Sequence, residues 1–126
     1  MAFGDVGGPI TELIITCVTP SSGTISIAKG DAVQLTGNYE VNNATDAEDV
    51  VFGQAMADAD DTDTSIPVKV RGICIFDYTG TAPTVNGAAG VLASATDGSV
   101  KAPASGNGVG RNVKVDTTAT QVHVLL

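Results

Sequence analysis

The chain has 126 residues, 43% of them hydrophobic, with 14 acidic and six basic side chains and a formal net charge of −8. That length suits one domain with a real core, and the apolar content is too high for a chain disordered by composition. The acidity argues against nucleic acid, whose phosphates need a basic patch, and no apolar run approaches the length of a membrane span.

Residues 1–11 carry Gly4, Gly7, Gly8 and Pro9, which suit a ladder poorly, so this stretch is expected to be a flexible N-terminal arm. Phe3, Val6, Pro9 and Ile10 are its candidate contact residues, apolar positions that order on docking to a partner. The start has no basic region followed by a long apolar stretch, so no secretory signal is expected. Residues 12–126 are expected to form the β domain.

Residues 12–18 are a β-branched run that ends at the turn-forming Pro20-Ser21-Ser22-Gly23. Ile25 and Ile27 then alternate with polar residues, as do Val33 and Leu35 after the Lys29-Gly30-Asp31 turn. Thr45-Asp46-Ala47-Glu48 has the hydroxyl-to-glutamate spacing of a capping box and predicts one turn of helix, with a strand over residues 50–56. Ile66, Val68 and Val70 share one face of the clearest strand. Gly72 breaks it, and residues 73–76 continue as a second apolar run. Residues 78–90 read as a loop. Val91 and Val100 flank an Asp97-Gly98 hairpin, and Val113–Val115 and Val122–Val124 mark two final strands. About nine short strands with frequent turns predict an all-β fold, a small barrel or sandwich.

Chemistry-bearing residues are sparse. Asp58, Asp60, Asp61 and Asp63 form the densest acidic stretch. A calcium loop counted from Asp58 needs Gly at the sixth position and an acid at the twelfth; Asp63 and Lys69 stand there, so a solvated loop is the better reading. Gly106, Gly108 and Gly110 imitate a phosphate loop, yet a strand pattern rather than a helix follows. Cys17 and Cys74 sit in apolar runs and read as buried free thiols; with the single His123 they are too few for a zinc site. No Ser or Cys has a histidine and an acid in a recognisable triad pattern, so no catalytic residue, cofactor or metal is expected and the chain does not read as an enzyme.

The charge is uneven. Residues 1–63 hold eleven acids and one base, Lys29, and the remainder holds three acids and five bases. Solubility is the plain explanation; an acidic face meeting a basic one is the sharper.

The order of several segments is distinctive: Gly30-Asp31-Ala32-Val33-Gln34-Leu35, then Asp49-Val50-Val51-Phe52-Gly53, then Ile66-Pro67-Val68-Lys69-Val70-Arg71-Gly72, and last Gly110-Arg111-Asn112-Val113-Lys114-Val115 with Val122-His123-Val124-Leu125-Leu126. From Thr24 to Leu126 this resembles the capsid cement, or decoration, proteins of tailed bacteriophages. The resemblance implies a β-barrel-like body on the outer surface of a virion, bound to the major capsid protein and commonly a homotrimer, with no catalytic motif; the acidity and the short apolar runs separately leave no nucleic acid and no membrane partner expected. The alternative is a carbohydrate- or ligand-binding β module, disfavoured by five aromatic residues and no Trp.

Overall fold

The computed structural model describes residues 12–85 and 90–126. The fold is all-β, as expected, with ten strands among the described residues: β1 (Leu13–Val18), β2 (Ala32–Gly37), β3 (Glu40–Asn43), β4 (Gly53–Ala55), β5 (Ser65–Arg71), β6 (Ile73–Asp77), β7 (Leu92–Ala93), β8 (Val100–Lys101), β9 (Arg111–Asp116) and β10 (Gln121–Leu125). Five of them close a barrel in the order β1-β3-β2-β4-β5, with β5 paired back to β1. A three-stranded sheet, β6-β10-β9, and a β7-β8 hairpin make up the rest.

Alternation decides what enters the barrel. Cys17, Val33, Val41, Ile66 and Val68 point inward from four strands and are buried. Ile25, Ile27 and Ala59 join this core beyond the start of β2 and the end of β4, tied by a bridge between Ile27 and Ala59. Thr19 stiffens the same end: its buried hydroxyl donates to the Asp61 carbonyl at 2.7 Å and accepts from the Thr64 amide at 2.9 Å.

A second core lies between the outer wall of the barrel and the three-stranded sheet. Cys74 and Phe76 from β6 and Val122 and Val124 from β10 pack there with Ala32, Val51, Val91 and Val100. No backbone ladder joins β6 to the barrel; side chains do. Gln54 and Lys69 are cross-strand partners on β4 and β5, facing out of the barrel. The Gln54 amide donates to the Ile75 carbonyl at 2.7 Å and to the Gly30 carbonyl at 3.2 Å. The Lys69 ammonium donates to the Ile73 carbonyl at 2.9 Å and pairs with Glu12 at 2.9 Å. Two long polar side chains thus satisfy the edge of β6, which explains why a lysine is 91% buried here.

Gly72, with φ of 116°, supplies the break between β5 and β6 that the sequence predicts. Gly98 serves the predicted β7-β8 turn with φ of 76°, and a Cβ there would fall 2.3 Å from the Asp31 carboxyl carbon. Backbone strain and this clash act together, so Gly98→Ala should lower stability by about 1–3 kcal/mol in urea unfolding; a change within 0.5 kcal/mol would contradict the close packing of Asp31 on this turn.

Three expectations need correction. The Thr45–Glu48 segment is no helical turn: Glu48 has φ of 75°, its amide donates to the Ala93 carbonyl, and its carboxylate pairs with Lys101 and accepts from the Ala104 amide at 3.0 Å. Those long-range partners outcompete a local cap. The strand expected over residues 50–56 shrinks to β4, because Val50 has no strand beside it and stands exposed. Ile25 and Ile27 contribute one bridge rather than a strand. The sequence pattern gives no strand signal over Glu40–Asn43, yet this run becomes β3 because pairing with β2 buries Val41.

Candidate docking site

The feature with the strongest claim to function lies at the barrel end where β2 stops and β4 begins. β2 runs to Gly37, but β4 pairs with it only at Ala32 and Val33. β1 meets β3 through one pair, Val18 with Glu40, so its earlier residues extend past the hairpin tip. The β2 edge of the hairpin therefore projects, with no strand beside residues 34–37 among the described residues, while its β3 edge touches β1 only at the tip. Its tip is fixed by Tyr39, with φ of 53°, whose carbonyl accepts from the Val18 amide at 2.9 Å.

Projection leaves inward-facing side chains uncovered. Ile15, Leu35, Tyr39 and Phe52 line a depression of about 390 Å³ with Gly37 and Asn38. Leu35 and Phe52 also line a neighbouring cleft of about 510 Å³ with Gln34, Asp49, Val50 and Val51. The shared residues make one continuous apolar face, on which Tyr39 is 70%, Val50 65% and Leu35 49% exposed. Exposed apolar side chains gathered on one face make this the candidate docking surface of the protein.

The surroundings are acidic. Asp49 lines the cleft, and its carboxylate accepts from the Asp46 amide at 3.1 Å. Glu40 follows Tyr39 and accepts from the Thr36 hydroxyl at 2.7 Å. No lysine or arginine lines either depression.

The other candidates gather less. Phe3, Val6, Pro9 and Ile10, the expected contact residues, lie outside the described residues. Asp58 accepts from the Lys29 amide at 2.7 Å, and Asp61 is engaged through its backbone by Thr19, so the acidic stretch is a structured turn. Asp31, Asp77 and Asp97 border a separate polar depression with Lys29 and Gln121. Burial pushes the Asp31 carboxyl up from its ordinary value, and Asp97 and Asp77 add to this. Among the described residues no group of three or more histidines, cysteines or acids is placed to hold a metal ion. The Gly106–Arg111 stretch leads into β9, as expected of a strand turn.

Cys17 and Cys74 are free and buried, one in each core. Burial raises both thiols, Cys74 to about 11. Both should resist Ellman's reagent at neutral pH in the native state and react together on unfolding; a fast native reaction at either would mean that its core opens locally. His123 is half-buried on β10, opposite Ile75 and Lys114, with neither cysteine as its strand partner.

No family model matches the chain, and no curated protein matches it.

Proposed function

We propose that the protein is a capsid decoration protein, which binds the outer surface of a phage head and holds neighbouring major capsid protein subunits together. One observation carries this reading: a rigid barrel presents one continuous apolar face, Ile15, Leu35, Tyr39, Val50 and Phe52, at one end. A cross-linking protein needs a stiff body and a docking surface, and it needs no reacting groups. The order of residue segments that resembles the cement proteins points the same way.

A shell under internal pressure fails where its subunits part, and a body seated across that boundary opposes the parting. Self-association into a homotrimer multiplies the effect, since a second contact made from the same assembly is intramolecular; avidity rises by about 10²–10⁴ when geometry permits. The N-terminal segment supplies a second contact in this scheme, through Phe3, Val6, Pro9 and Ile10.

The test mixes purified protein with bare expanded shells and looks for saturable, symmetric occupancy by electron microscopy. Removal of residues 1–9 should weaken that binding and leave the far-ultraviolet circular dichroism unchanged; equal binding would remove the arm from the scheme. The carbohydrate-binding alternative has one observation in its favour, the exposed Tyr39 ring, and a glycan array decides it.

A further inference from the structure

We infer that the apolar face receives a short extended segment of another polypeptide, in which apolar side chains alternate with lysine or arginine, added as a strand to β2 beside Leu35.

The backbone supplies the first argument. Val33 pairs with Gly53 of β4, and its carbonyl also accepts from the Phe52 amide at 2.8 Å, so Val33 turns its polar groups toward β4. In an antiparallel strand the backbone groups of residues two apart point the same way. Leu35 therefore turns its amide and carbonyl into the cleft beside residues 50–52, where no described strand meets them. An incoming strand would satisfy both by main-chain hydrogen bonds. The register shift between Leu35 and Gly37 bends the edge at Thr36 and limits the added ladder to a few residues.

Side chains supply the second. A strand at this edge sets every other residue toward the barrel, over Leu35 and Phe52 and against Val50, which fixes the apolar half of the incoming pattern.

Charge supplies the third and selects the occupant. Asp49 and Glu40 flank the face, no basic residue lines it, and all five apolar residues belong to the half of the chain with eleven acids and one base. A basic segment is attracted there and an acidic one repelled. The chain's own residues 1–11 carry Asp5 and no lysine or arginine, so they fit the face less well than a basic partner does. The inference deepens the docking role proposed above by giving the chemistry of the segment that docks.

Two-dimensional NMR of the full ¹⁵N-labelled chain tests it, with acetylated octapeptides of alternating valine and lysine, alternating valine and glutamate, and alternating serine and lysine. The valine–lysine peptide should shift the amides of residues 34–37 and 50–52 and slow hydrogen exchange at Leu35. It should bind at least about tenfold tighter than either control and weaken as salt is raised. Glu40→Lys combined with Asp49→Lys, both at half-buried positions and with the fold checked by circular dichroism, should reverse the preference between the two valine peptides. Equal binding of all three peptides, or shifts confined to other residues, would overturn the inference. So would concentration-dependent shifts at the same amides without peptide, which would assign the face to a second copy. Tenfold tighter peptide binding after deletion of residues 1–11 would assign it to the chain's own N-terminus. If the valine–lysine peptide binds as described and bare shells do not, the inference stands and the capsid role falls.

Discussion

Phe76→Ala should lower stability by about 3–5 kcal/mol, the largest effect expected from any single truncation in this protein. Phe76 is the largest fully buried side chain among the described residues and belongs to the second core, between the three-stranded sheet and the barrel wall. Its removal costs both the transfer of the ring from water and the cavity left behind, since partners held by strands on both sides relax little. For a chain of this length the midpoint of thermal unfolding should fall by about 4 °C per kcal/mol, and calorimetry reads the change directly. Phe76→Leu should cost a fraction of this. A loss below 1 kcal/mol for the alanine variant would mean that the outer sheet contributes little to the fold. The shape of the transition carries further information. Gln54 and Lys69 tie that sheet to the barrel by side-chain hydrogen bonds, with no backbone ladder between the two, so a weakened second core is where a separate, earlier melting step would show itself.

Tyr39→Ala combined with Val50→Asp should reduce shell binding by at least about thirtyfold per site, near 2 kcal/mol, and leave stability within about 0.5 kcal/mol. Both side chains are mostly exposed, so their loss costs the fold little. Their burial against a partner is another matter. Tyrosine is enriched among the residues that dominate binding at interfaces, and a carboxylate placed at Val50 and buried there without a partner is costly. Occupancy of bare shells, measured by co-sedimentation across a protein titration, separates the outcomes. Undiminished binding by a folded variant would show that the shell is held elsewhere on the molecule.

The class of the fold was legible in the sequence because strand alternation is a local signal. Ile66, Val68 and Val70 alternate, and so do Val122 and Val124; in each set at least two residues are buried on a shared face. The Asp97-Gly98 turn and the Gly72 break were legible for the same reason, since a positive φ is demanded within a few residues. Glu48 was misread because its partners lie more than 50 residues away, at Lys101 and Ala104, and nothing in the spacing from Thr45 reports them.

The docking face shows the limit most clearly. Val33 and Leu35 lie on the same side of one strand, and by pattern alone they are equivalent. In the folded chain Val33 is fully buried and Leu35 is half exposed. The difference comes from β4, which stops beside Val33 and leaves the rest of β2 projecting. Sequence by itself determined that this protein is built of short strands with one apolar face each, that its two cysteines sit in apolar runs, and that its acids are concentrated in the first half. Only the tertiary structure decided which apolar residues stay uncovered, because burial depends on where a neighbouring strand ends, and strand neighbours in this barrel come from distant parts of the chain.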